Sequence, residues 1–154
     1  MSISDRIERI EILPVSRERV WDAITKPEQL SQWLSMVRDM DFRVGGEIHF
    51  LWENKHSPYP GLIEVIEPLQ RFAFRWSSYA IGHPERKLAG TGSTRVEFTL
   101  EEVAEGTRLT LVESGFASLP EAIPADQNYQ DNEQGWPILL AGLRTSLQSQ
   151  AKAS

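Results

Sequence analysis

From residue 40 to residue 114 the chain places apolar side chains at every second position in one segment after another, and a single helix-period apolar stripe follows near its end. A period of two requires half-buried strands, and a run of such segments with short links reads as an antiparallel meander. "FRVGGEIHFLWE" turns at Gly45-Gly46 and sets Ile48, Phe50 and Trp52 on one face, with Glu47, His49 and Glu53 on the other. "GLIEVIEP" and "RFAFRWSS" are joined by a turn at Pro68-Leu69-Gln70, and Phe72, Phe74 and Trp76 again share a face. In "STRVEFTLEE" the inner row is Val96, Phe98 and Leu100; in "GTRLTLVESGF" it is Leu109 and Leu111, with Glu113 in the same phase. Such a one-sided sheet needs a cover. The cover is supplied by "GWPILLAGLRTSLQSQ", where Trp136, Leu139, Leu140, Leu143 and Leu147 fall on one helical face.

Before the meander, "DRIERIEILP" reads as a strand, with a bulge expected because Ile10 and Ile12 share a phase that Ile7 and Leu13 do not. Ser16 fits an N-cap, with Val15 and Val20 as a hydrophobic staple. Val20, Trp21 and Ile24 form one short apolar group and Leu30, Trp33 and Leu34 another, with Lys26-Pro27 between them. Proline suits the first turn of a helix but not the interior of one, so the segment predicts two short helices. Helices of that length need tertiary support. They are expected to close the open end of a strongly curved sheet. Residues 114–134 are weakly patterned and read as an irregular crossover or frayed helical segment; a helix beginning upstream of Gly135 would be kinked by Pro137.

The 154 residues suit one domain over 1–154, long enough to bury about 70% of the surface that the unfolded chain exposes. A net charge of -6 and the lack of any Lys/Arg stripe argue against nucleic acid. No run of eighteen apolar residues predicts membrane insertion, and the first residues carry no cationic-then-apolar leader, so a cytoplasmic location is expected. Without cysteine, thiolate chemistry is excluded and His, carboxylates and hydroxyls remain.

His49, His56 and His83 match no metal-ligand spacing and read as surface residues, so no metal and no cofactor is expected. The aromatic row is either plain core or the wall of a ligand cavity. Glu113 is the leading polar candidate, since an inward carboxylate can act as a ligand hook or general acid, although one near a strand end often reaches solvent or an arginine. Without a cationic partner, Glu113→Gln is expected to stabilise the chain near neutral pH. Glu64 is weaker, because a register slip would exchange its face with that of Ile63 and Val65. Ser114-Gly115 and Gly90-Thr91-Gly92 lack nucleophile-elbow or phosphate-loop spacing and read as turns. "YAIGHPERKLAGTG" is long for a hairpin connection and reads as a lid, an interaction loop or a surface insertion.

The segments "ERVWDAITKPEQLSQWL", "RVGGEIHF", "GLIEVIEPLQRFAFRW", "STRVEFTLEEVAEGTRLTLVESGF" and "GWPILLAGLRTSL", in that order between Ser4 and Gln148, resemble the activator of heat-shock ATPase homologue family. That family lies in the START-like, or SRPBCC, superfamily, which also holds the birch-pollen allergens and the aromatase/cyclases. The resemblance implies an α+β helix-grip fold: a curved antiparallel sheet around a long C-terminal helix, two short helices after the first strand, and a cavity that often takes apolar ligands. It carries over no catalytic motif. The expected function is a binding protein for a small apolar or aromatic molecule, without chemistry of its own. The candidate cavity residues are Ile48, Phe50, Trp52, Phe72, Phe74, Trp76, Phe98, Leu111, Glu113, Trp136, Leu139, Leu140 and Leu143. The alternatives are a co-chaperone-like partner of a heat-shock chaperone, for which a lone domain would lack the companion domain of the eukaryotic activators, and a cyclase- or hydrolase-type enzyme with Glu113 as acid.

Overall fold

The computed structural model describes residues 5–51, 59–77, 92–120 and 123–153. In chain order these form β1 (Arg6–Leu13), α1 (Arg17–Thr25), α2 (Pro27–Trp33), β2 (Met36–Met40), β3 (Glu47–Leu51), β4 (Tyr59–Glu67), β5 (Arg71–Ser77), β6 (Ser93–Val103), β7 (Gly106–Ser114), a 3-10 turn at Phe116–Ser118, and α3 (Ala125–Ala153). The seven strands make one sheet in the order β1-β7-β6-β5-β4-β3-β2, antiparallel at every step. This is the helix-grip arrangement, with α3 against the inner face. Among the described residues no helix is long and apolar enough to cross a membrane.

The two short helices carry the chain from one edge strand, β1, to the other, β2. Ser16 caps α1, its side chain accepting from the Arg19 amide, and the extended Lys26 before Pro27 separates the helices. The Trp33 indole of α2 donates to the Ala23 carbonyl of α1 at 2.9 Å, and its ring meets Phe98 of β6 edge-on. Tertiary contacts hold both helices, as their length demands.

Three local readings change. The expected bulge in β1 is absent: its register with β7 is unbroken from Arg6 to Leu13. Ile7 and Leu13 face the core, whereas Ile10 points outward, 57% exposed. The intervening inward positions hold Arg9 and Glu11, whose partners lie on α3, so a strand that reads as out of phase is charged at its middle and still regular. The first arm of the Gly45-Gly46 hairpin lies at 36–40 rather than at Phe42-Arg43-Val44, with 41–46 as the connecting loop. Gly46 is required there, since a Cβ would stand 2.0 Å from the Asp41 carbonyl oxygen. Finally, α3 starts at Ala125, ten residues before Gly135, and Pro137 lies inside it. Proline has no N–H for the Glu133 carbonyl four residues back, and the Arg9 guanidinium lies 3.4 Å from that oxygen as its donor.

The bulge is in β4 instead, where register shifts between Ile63 and Val65. One extra residue allows both Ile63 and Ile66 to face inward although they are three apart, and it leaves Glu64 on the outer face beside Arg75. The free edge of β1 is blunted by side chains: Tyr129 donates to the Arg6 carbonyl, Arg9 to that of Glu8 and Arg144 to that of Ile12.

Candidate functional site

The inner rows of β3, β5, β6 and β7 meet α3 in a continuous aromatic and aliphatic interior. Ile48, Phe50, Phe72, Phe74, Phe98, Leu111, Trp136, Leu140 and Leu143 are buried essentially completely and Trp76 nearly so. Phe50, Phe74 and Trp76 contact in sequence with ring centroids 5.6–5.9 Å apart, and Trp76 stacks on Trp136 at 5.7 Å with only 25° between planes. Phe98 meets Trp136 edge-on. Leu139 lies at the flank of this interior, only partly buried, and Trp52 lies outside the described residues. His56, His83, Gly90-Thr91 and nearly all of "YAIGHPERKLAGTG" also lie outside them.

Into this interior β7 delivers Glu113, with no solvent exposure. Its strand phase with Leu109 and Leu111 is the reason: β7 alternates strictly, and the three share the inner face. Among the described residues, four side chains from three elements donate to its carboxylate. Trp136 Nε1 donates to Oε1 at 2.8 Å, Trp76 Nε1 to Oε2 at 3.0 Å, and Thr94 Oγ1 to Oε2 at 2.5 Å. Asn132 Nδ2 is 3.0 Å from both oxygens. Indole and amide N–H groups can only donate, so the ring of partners suits an acceptor on both oxygens. None of the four is charged.

The sequence placed Trp76 and Trp136 as apolar wall and left out their role as donors. A buried indole N–H must find an acceptor, and Glu113 is the inward acceptor in the same region, so that signal was present. Thr94 shares the phase of Val96 and Phe98 and is the polar residue of that row, a second usable signal. Asn132 was missed because residues 125–134 carry too little apolar pattern to read as helix. Once they are helical, Asn132 stands one turn before Trp136 on the same face.

The other candidates resolve differently. Glu64 is an outer-face residue, bonded to Arg75 at 2.9 Å and 3.3 Å from Arg95. His49, on β3 opposite Asp39 of β2, has its Nδ1 against Asp39 and its Nε2 3.0 Å from Glu47. The hydrogen bond to Asp39 raises its pKa, and the same bond, with help from Arg38, lowers that of Asp39. A separate cleft of about 400 Å³ lies at the far end of β7, between Pro14–Glu18 and Glu102–Gly106, and contains none of the candidate residues.

Curved antiparallel sheet, long covering helix and paired short helices together define a helix-grip protein of the START-like superfamily. The family described as "Activator of Hsp90 ATPase homolog 1-like protein" matches residues 14–148, and the chain belongs to it. Among solved structures, the chain is similar to protein MLL2253 from Mesorhizobium loti, at 24% identity and a TM-score of 0.72, covering 94% of this chain and 97% of that one. It is similar to DynU16, from the dynemicin biosynthetic locus, at 23% identity and a TM-score of 0.71, covering 95% of this chain but only 48% of DynU16. It is also similar to the Aha1 dimer from Colwellia psychrerythraea, at 19% identity and a TM-score of 0.66, covering 92% of this chain and 95% of that one. At these identities the likeness is one of fold. No curated protein matches the sequence.

Proposed function

We propose that the protein binds a small apolar or aromatic molecule between the sheet and α3, and carries out no chemistry of its own. The observation that supports this is the placing of a carboxylate, Glu113, at the end of an aromatic row on the inner face. Apolar surroundings with a few convergent polar groups are what small-molecule sites are made of. An enzymatic reading finds less support, because the donors to Glu113 include no second carboxylate, histidine or nucleophile-base pair. The interior is closely packed, so entry of a ligand requires some of it to yield, and Asn132 is the one donor that is only partly buried.

The test is titration with a panel of planar aromatic and apolar compounds, read by tryptophan emission and by amide NMR. Shifts are expected from Phe72 to Trp76 and from Trp136 to Leu143. Shifts confined to the outer face, at Arg95 and Glu97, would count against the reading. A panel that moves nothing, beside clear activation of a purified heat-shock ATPase, would replace it with the co-chaperone function that the family name describes.

A further inference from the structure

We propose that Glu113 recognises the protonated nitrogen of an aromatic amine, which takes the place of the Asn132 amide. This rests on the reading of the protein as a small-molecule binder and names the class of molecule.

The first ground is charge. A carboxylate with no solvent exposure is normally met by a cation, because hydrogen bonds from neutral groups leave most of the Coulomb attraction uncollected. Here all four donors are neutral. Arg9, which reaches α3 from β1, donates to the Glu8 carbonyl at 2.9 Å and more weakly to the Glu133 carbonyl, and Arg144 on α3 donates to Glu11 and the Ile12 carbonyl; neither bonds Glu113. Arg95, on the strand next to Glu113, faces outward to Glu64 and Glu97. The site therefore holds a carboxyl group to which the described residues bring neutral donors and no cation.

The second ground is geometry. Asn132 Nδ2 stands 3.0 Å from both oxygens, the symmetric position that an ammonium nitrogen takes in front of a carboxylate. The other three donors come from the sides, two of them as indole N–H groups whose rings form the wall beside it. The two indole rings are buried and stacked on one another, so the ring of a ligand whose nitrogen takes the Asn132 position lies toward the partly buried Asn132 side of the site, against their edges.

The third ground is the way Asn132 is held. It sits in the part of α3 before Pro137, and the proline removes the backbone bond from residue 137 to Glu133. In its place that segment has a 3.4 Å bond from Arg9 and a 3.4 Å bond from Tyr129 to the Arg6 carbonyl, together with the edge-on contact of Tyr129 with Phe116. Long bonds of this kind are weak fastenings. Trp136, one turn further on, is locked by stacking on Trp76, so Asn132 can withdraw while the rest of the site stays in place.

The test uses a matched pair of probes, tryptamine and tryptophol, which share the indole ring and chain length and differ in ending with an ammonium or a hydroxyl. Isothermal titration of the whole chain at pH 7 should show the amine binding about tenfold or more tightly, the order expected when a hydrogen bond to a buried carboxylate becomes charge-assisted. Asn132→Ala should strengthen the amine severalfold by removing its competitor. N-acetyltryptamine, which keeps the N–H and loses the charge, should bind like the alcohol, and this arm needs no variant. Equal binding of amine and alcohol, in the natural chain and in Asn132→Ala alike, would overturn the inference and leave the binding function standing. Failure of all three probes to bind either protein would overturn the inference as well, and the wider panel of aromatic and apolar compounds then decides the binding function separately.

Discussion

The two faces of the sheet treat carboxylates in opposite ways. On the inner face Glu113 is shut away from water and, among the described residues, met only by neutral donors. On the outer face Glu64 and Glu97 are partly exposed and share Arg75, Arg95 and Arg71 across β4, β5 and β6, with Glu67 joined to Arg71 at 2.7 Å. Outside, long cationic side chains can reach a carboxylate while their charged ends stay wet, and each pair is worth little. Inside, a lysine or arginine would have to be desolvated as well, and indole N–H groups satisfy the oxygens while adding apolar surface. The inner network therefore ties β5, β6, β7 and α3 together at one point, whereas the outer ladder spreads small contributions over three strands.

The largest expected effect is at Trp136, where ring packing and the bond to Glu113 coincide. Trp136→Ala should cost about 3–5 kcal/mol in denaturant unfolding, and a loss below about 1 kcal/mol would mean that the interior is not packed as described. Next comes Glu113→Gln, for which the structure reverses the sign expected from sequence. The amide presents N–H to a ring of N–H donors, so at least one buried group loses its partner, and destabilisation of about 1–3 kcal/mol is expected. Stabilisation in that variant would erase the distinction between the faces. On the outer face, a double-mutant cycle on Glu64 and Arg75 should return a coupling of about 1 kcal/mol or less, weakening with salt. A coupling as large as the Glu113→Gln effect would break the comparison from the other side.

The smallest effect is a pH dependence at His49, and its sign follows from its partners. The folded pKa of His49 is raised, first by its bond to Asp39, so its contribution is full below the unfolded value of about 6.5 and is lost as pH rises through the folded value. Asp39 is lowered, first by His49, so its contribution is present above its unfolded value and lost as pH falls through the folded one. The clasp between β2 and β3 should thus act in the window between the two. His49→Gln should reduce the unfolding midpoint in mildly acidic buffer and leave it nearly unchanged in alkaline buffer. An equal loss at both pH values would assign His49 a packing role only.

What local periodicity and local chemistry can specify was legible in the order of the amino acids. Period two put Phe72, Phe74, Phe98, Leu111 and Glu113 on inner faces, Ser16 and Pro27 marked where the short helices begin, and the stripe from Trp136 to Leu147 marked the covering helix. Each of these follows from which way a side chain points relative to its neighbours, and neighbours in sequence are enough to say that. Tertiary structure alone decided where α3 starts, because its first turns are stabilised by contacts with β1 and the 3-10 turn rather than by an apolar stripe of their own. It alone placed the bulge in β4 rather than β1, since an unbroken β1 depends on Arg9 and Glu11 finding partners on α3. It alone brought Trp76, Thr94, Asn132 and Trp136 to one carboxylate from 19 to 37 residues away. Periodicity reports the face on which a residue lies; which atoms meet across the interior is set by the curvature of the sheet and the seating of the helix, and those are properties of the whole chain.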